Sequence, residues 1–185
     1  MEWANKKGIT LTETLVVISI LVILTTVIFA IYLASNNIFN RERAYSELQQ
    51  ENSYVIDQIA KRIKVSYAVA NYPEVTPTYS SDSDTLVLKA YSLDLNQNVN
   101  LSGTDYFIFY LNPSNTLNLQ IISADSGRQS ETLVLSRFVD EINFRYNNST
   151  ATQADAISID LTQSKTIGRE TKTVTTSLSA SLRNK

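Results

Sequence analysis

KKGITLTETLVVISILVILTTVIFAIYLA, residues 6–34, is the stretch on which the reading of the whole chain turns. Its later part, residues 15–34, is apolar throughout except at Ser19, Thr25, Thr26 and Tyr32. A helix of about twenty residues rising 1.5 Å per residue spans roughly 30 Å, the thickness of a bilayer's hydrocarbon core. The block is therefore expected to cross a membrane. Lys6 and Lys7 stand before it and favour a cytoplasmic N-terminus. Arg41 and Arg43 beyond the block weigh the other way, with Glu42 and Glu47 beside them. A secretory signal peptide would end in an Ala-x-Ala-like cleavage site, and only the wide Ala30 and Ala34 spacing approaches one.

Two residues at the head of the block call for an explanation beyond anchoring. Gly8 is a small residue immediately before the apolar segment, and Glu13 is an acid at its margin. Placing an acidic side chain centrally in hydrocarbon costs about 2.5 to 3.5 kcal/mol on insertion scales, so Glu13 needs a partner. The positive end of the helix dipole is one local candidate, and Glu13 also sits four residues after Ile9 on the same helix face.

Lys6-Lys7-Gly8-Ile9-Thr10-Leu11-Thr12-Glu13 resembles the cleavage motif of type IV prepilins: a basic leader ending in Gly, an apolar residue, and Glu five places on. The resemblance implies that a membrane-embedded prepilin peptidase cuts between Gly8 and Ile9 on the cytoplasmic side and methylates the new amine of Ile9. The apolar segment would then remain as the first helix of the mature chain. It further implies that Glu13 neutralises the amine of a neighbouring subunit during assembly. A free α-amine titrates at about 7.7 to 8.0, so it is mostly charged near neutrality. Ile9 stands where Phe is commoner, and Thr12 and Thr14 flank Glu13 where apolar residues are frequent.

Past the block, Tyr45, Leu48, Val55, Ile56, Ile59 and Ile63 recur at helical spacing, with charged and amide residues largely between them. No Pro or Gly occurs from Ile9 through Tyr72, so one helix is expected from near Ile9 to about Tyr67. Its length would be on the order of 90 Å, with Asn36-Asn37 as its weakest point.

A loop with Pro73, Pro77 and the run Ser80-Ser81-Asp82-Ser83-Asp84 follows, after which the period becomes that of strands. Strands are predicted at 85–92, 105–111, 117–123, 132–138, 141–146, 156–162 and 171–182. Ser102-Gly103, Asn112-Pro113-Ser114-Asn115, Asp125-Ser126-Gly127 and Asn147-Asn148-Ser149-Thr150 are read as turns between them. With no helix-length crossover, the strands should form antiparallel hairpins. The fold class is thus α+β: a long N-terminal transmembrane and amphipathic helix packed on a mainly antiparallel β-sheet, the architecture of pilins. The expected division is a leader at 1–8, a filament-core half-helix at 9–35, an amphipathic half at 36–72 and a β-rich domain at 73–185.

Within that family, the stretch from Leu48-Gln49-Gln50-Glu51-Asn52 to Ile59-Ala60-Lys61-Arg62-Ile63 looks like the larger minor subunits. So do Phe138-Val139-Asp140-Glu141-Ile142-Asn143-Phe144 and the closing Ser181-Leu182-Arg183-Asn184. These are the J-type pseudopilin of type II secretion and the W-type minor pilin. The partners implied are other pilin or pseudopilin subunits, prepilin peptidase, an inner-membrane assembly platform and the membrane.

Composition narrows the alternatives. The chain has no Cys and no His, which removes disulfides, thiolate chemistry, Ser-His-Asp relays and the commonest metal ligand. No constellation of nucleophile, base and orienter supports an enzyme. A net charge of −2 gives no field directed at nucleic acid, and the ten tyrosines, among them Tyr67, Tyr72, Tyr79, Tyr106 and Tyr110, lack a basic stripe beside them. Core filling accounts for them better. Asp82 and Asp84 pair two carboxylates in a Ser-rich loop, yet Ca²⁺ requires 6 to 8 oxygen ligands, so no metal or cofactor is expected. Arg41, Arg43, Lys61, Arg62 and Lys64 form a cationic cluster read as a solvated face, with acidic filament neighbours as its other use. The first expectation is a minor pilin or pseudopilin that initiates or caps a filament, N-terminus inside the inner membrane and C-terminal domain outside. The alternative is a single-pass, membrane-anchored binding or sensor domain that uses the helix only as a tether.

Overall fold

A computed structural model of the chain describes residues 10–70, 79–93, 99–124, 128–168 and 170–183. By compactness the chain divides into two units, Met1–Arg43 and Ala44–Lys185. One helix, α1, runs Leu11–Val65. It is the single helix expected from the sequence, and Asn36 and Asn37, its expected weakest point, do not interrupt it. With neither Pro nor Gly nearby, two asparagines lower helix propensity by only a few tenths of a kcal/mol each.

In the first unit the apolar side chains are exposed on every face of the helix. Ser19, Thr25 and Thr26 turn their hydroxyls inward, donating to Leu15 O (2.8 Å), Leu21 O (2.9 Å) and Val22 O (2.8 Å). Those hydroxyls are thereby satisfied within the helix, and the outer surface is apolar despite their presence. α1 is the helix long and apolar enough to cross a membrane among the described residues.

In the second unit α1 buries one stripe: Ala44, Leu48, Asn52, Val55, Ile56, Ile59, Ala60 and Ile63. The spacing is that of one helix face, and it corrects the sequence reading in two places. Tyr45 points outward, while Asn52, a polar residue, lies fully buried and donates through Nδ2 to Leu161 O at 3.5 Å.

The stripe is covered by two antiparallel sheets, where a single sheet was expected. One holds β1 (Ala68–Val69), β2 (Thr85–Leu93), β3 (Val99–Leu111), β4 (Leu117–Ile122) and β5 (Glu131–Ser136) in sequence order. The other holds β6 (Val139–Tyr146), β7 (Ala156–Ile167) and β8 (Glu170–Ser181). The alternation explains the packing. Leu86, Leu88, Phe107, Phe109, Leu117 and Leu119 join Ile59 and Ile63 in the main core, together with Ile142, Phe144, Ile157, Ile159 and Leu161 from the second sheet. Val87, Tyr106, Ile108 and Ile122 point to the opposite face of the first sheet and form a smaller cluster. A strand apolar on both faces, such as β2, is what this double coverage demands. The outward positions of β7 and β8 are instead polar: Thr162 meets Thr175 at 3.1 Å, and Ser177 donates to Asp160 at 2.6 Å.

Two further differences from the sequence reading have local causes. Ser102 and Gly103 do not form a turn between strands but lie within β3, where the register with β2 slips between Tyr91 and Ser92. A Cβ at Gly103 would approach the Ser92 Cβ to 2.8 Å, so the bulge requires glycine there. The two-residue β1 escaped notice because its pairing with β2 at Ala68↔Lys89 and Val69↔Leu88 comes from tertiary docking. The turn at Asn112–Asn115 is formed: Asn112 Oδ1 accepts from the N–H groups of Ser114 (3.0 Å) and Thr116 (2.9 Å). Asn115 there adopts a φ of 56°, a conformation Asn tolerates well. The turn expected at 125–127, Pro73, Pro77 and Tyr72 lie outside the described residues.

Candidate functional site

The head of α1 is built from its own sequence. Thr10 precedes the first helical residue and Glu13 lies three places on, the spacing of a capping box. Thr10 N–H donates to Glu13 Oε2 at 2.9 Å, and the Thr10 hydroxyl donates to the same oxygen at 3.0 Å. In return Glu13 N–H donates to Thr10 Oγ1 at 3.3 Å. Thr14 N–H closes the first turn on Thr10 O at 3.2 Å. The arrangement satisfies N–H groups that the start of a helix leaves without partners and sets a carboxylate at the positive end of the dipole.

Glu13 thus has a structural task of its own, and Thr10 is the partner that sequence reasoning missed. The signal was present as Thr-x-x-Glu immediately ahead of an apolar run. Both bonds from Thr10 converge on Oε2, and Glu13 is exposed, so the carboxylate retains acceptor capacity toward an outside donor. Thr12, Glu13, Val16 and Val17 line an open depression on the helix surface. Lys6, Lys7, Gly8 and Ile9 lie outside the described residues.

The other residues singled out in the sequence have ordinary settings. Asp82 Oδ1 accepts from the N–H groups of Asp84 (3.0 Å) and Thr85 (2.9 Å), an Asx turn leading into β2. Partial burial, with the Asp84 carboxyl next to it, raises the Asp82 carboxyl above its usual range. Among the described residues no three acidic groups converge as a metal site. Tyr67 stacks on Tyr91 with ring centroids 4.7 Å apart, and Tyr79 meets Tyr110 at 5.0 Å. Of the cationic cluster, Lys61 pairs with Asp57 at 2.6 Å one helical turn away. Arg62 departs from the solvated-face reading, because its guanidinium lies 4.6 Å from the centroid of the Phe107 ring.

With this geometry in place, the comparison with known families is informative. Residues 3–29 match the prokaryotic N-terminal methylation motif, the prepilin motif of type IV pilin-like proteins. The matched segment includes Lys6, Lys7, Gly8, Ile9, Glu13 and most of the apolar block. No curated protein and no solved structure matches the chain. The motif implies processing by prepilin peptidase and assembly with other pilin subunits, and with the apolar helix it fits anchoring in the inner membrane. Proteins of this motif family are structural rather than enzymatic. The long helix with antiparallel sheets is an α+β arrangement consistent with a pilin-like fold.

Proposed function

We propose that this chain is a minor pilin or pseudopilin, a structural subunit that initiates or caps a type IV pilus-like or type II secretion filament. Prepilin peptidase cuts between Gly8 and Ile9, and Ile9 receives the methyl group. Lys6 and Lys7 hold the leader on the cytoplasmic side, and the assembly platform draws the helix out of the membrane. In the filament the Glu13 carboxylate faces the Ile9 amine of a neighbouring subunit, while Thr10 keeps it in place through Oε2.

The observation that carries this reading is the conjunction at residues 3–29: the motif, the carboxylate in the first helical turn, and an apolar surface that is exposed among the described residues. A tether needs the third of these but neither of the others. The J-type and W-type resemblance favours a minor subunit over the repeating one.

Substitution of Gly8 by Val, followed on gels in a cell with active prepilin peptidase, tests the cleavage. The variant should migrate as the uncleaved chain and be absent from sheared filaments. Glu13→Ala separates assembly from anchoring: cleavage and membrane insertion should persist while incorporation into filaments is lost. Undiminished incorporation of Glu13→Ala would refute the ion-pair role. A sensor or binding domain tethered by the same helix would keep its full activity with Glu13 replaced and its leader attached.

A further inference from the structure

The buried stripe of α1 is apolar except at Asn52, and a second amide faces it from the sheets. Register sets Val139, Gln163 and Val174 in one row across β6, β7 and β8, with Ile142, Leu161 and Thr176 in the next. Asn52 Nδ2 contacts Leu161 O at 3.5 Å, and Lys165 Nζ meets Glu47 Oε2 at 3.4 Å. Gln163 lies between those two contacts on the same face of β7, opposite the turn of α1 from Leu48 to Asn52. Same-face neighbours on a strand are roughly 6.6 Å apart, within reach of a glutamine side chain.

Asn52 and Gln163 are both 0% exposed, and Ser136, which closes β5, is 2% exposed. Asn52 Oδ1 and Gln163 Oε1 are buried without a hydrogen-bond partner among the described residues. Each such acceptor has lost its hydration with nothing to offset the loss.

The neighbouring groups show how both can be satisfied. Leu161 O only accepts, so Asn52 faces it with Nδ2 and keeps Oδ1 turned away. Gln163 Nε2 lies 2.6 Å from Ser136 Oγ. That separation is usual for O–H···O and short for N–H···O, whose range begins at about 2.7 Å. Ser136 Oγ already accepts from Phe138 N–H at 3.1 Å, and among the described residues its own proton has no acceptor other than Gln163. Half a turn of the Gln163 amide exchanges two groups of nearly equal size. It brings Oε1 onto the Ser136 proton and puts the two N–H donors of Nε2 where the unpartnered oxygen lay.

We propose that Ser136, Gln163 and Asn52 form one continuous relay that locks α1 in a single axial register on both sheets. Ser136 O–H donates to Gln163 Oε1, Gln163 Nε2–H to Asn52 Oδ1, and Asn52 Nδ2–H to Leu161 O. Ser136 pairs with Leu117 in the first sheet, and Val139, three residues on, opens the second. The relay thus joins the helix to the point where the chain crosses from one sheet to the other. The rest of the stripe discriminates register weakly, because a slide by one helical turn, about 5.4 Å, sets one aliphatic side chain in place of another. At Asn52 the same slide brings Leu48 or Ile56 against Gln163 and leaves both amides facing hydrocarbon. A single buried polar contact in an apolar seam specifies alignment between paired helices in the same way.

NMR of the isotope-labelled, detergent-solubilised full chain tests the relay. The side-chain amide protons of Gln163 should give stronger NOE cross-peaks to the β protons of Asn52 than to those of Ser136. The reverse order, or a long-lived water cross-peak in place of the Asn52 contact, would overturn it. In urea unfolding Asn52→Leu and Gln163→Leu should each lower the folding equilibrium constant about tenfold by leaving the other amide unpaired, and the double variant should be no less stable than either. Additive losses would contradict the proposal, since the two amides would then act separately. In the double variant the amide resonances of Leu48 to Ile63 should split or broaden as α1 samples neighbouring registers. A single sharp set, as in the wild type, would contradict the locking role.

Discussion

The two parts of α1 treat their aliphatic side chains in opposite ways. Leu15 to Leu33 are exposed around the whole circumference, whereas Leu48, Val55, Ile59 and Ile63 are 0–1% exposed along a single stripe. The later part finds its apolar partner within the chain, in two sheets that close over it. The earlier part is left uncovered among the described residues, as a surface meant for lipid or for neighbouring subunits would be. Anchoring and assembly draw on the same surface, which is why the polar groups at its head, and not its hydrophobicity, separate one from the other.

Matched truncations should expose that contrast most strongly. Ile59→Ala should destabilise the globular part by about 2 to 5 kcal/mol in urea unfolding, since it opens a cavity between helix and sheets. Ile23→Ala, in the exposed part, should change the same unfolding free energy by no more than about 0.5 kcal/mol. Similar losses for the two would dissolve the distinction.

A smaller effect is expected where the second unit buries charge. Asp105→Asn removes the buried carboxylate that accepts from Arg128 Nη1 at 2.7 Å and should cost about 1 to 3 kcal/mol. A double-mutant cycle with Arg128→Leu should return a coupling of comparable size. A coupling near zero would mean that solvent already satisfies the pair.

Next comes a dependence on pH. Burial, with the Asp82 charge nearby, pushes the Tyr146 hydroxyl up to about 12 from its usual 10, and its O–H donates to Asp82 O at 3.0 Å. The unfolded chain releases this proton first, so stability holds below pH 10 and falls as pH rises from 10 toward 12. The loss should reach up to about 2 kcal/mol, reduced from the full shift because the ring is partly exposed. Urea titrations at pH 9 and pH 11 should show that drop in the wild type and a smaller one in Tyr146→Phe.

The smallest effect on global stability belongs to the head of the helix. Thr10→Val removes the hydroxyl of the capping box and should speed amide exchange at the first helical residues several-fold in detergent. The urea midpoint of the globular part should not move.

Much of this contrast was legible in the sequence, because the period of apolar residues reports the environment directly. An unbroken run marked the exposed part of α1, a 3.6-residue stripe the buried part, and alternations such as Ile157, Ile159 and Leu161 the strands. What escaped depends on contacts between distant segments. The division into two sheets, the burial of Asn52 against β7 and the pairing of Asp105 with Arg128 arise from how the strands pair and pack in three dimensions, which no local pattern encodes. The capping bonds of Glu13 are readable in Thr10-x-x-Glu13 ahead of an apolar run, a signal separate from the helix dipole.

The most direct measurement on the central claim is N-terminal mass spectrometry of the chain purified from membranes of a cell with active prepilin peptidase. The expected result is a mature protein that begins at Ile9 with a methylated amine and lacks residues 1–8. A chain that retains Met1 to Gly8 under those conditions would contradict assignment as a processed filament subunit and leave the helix as a membrane anchor.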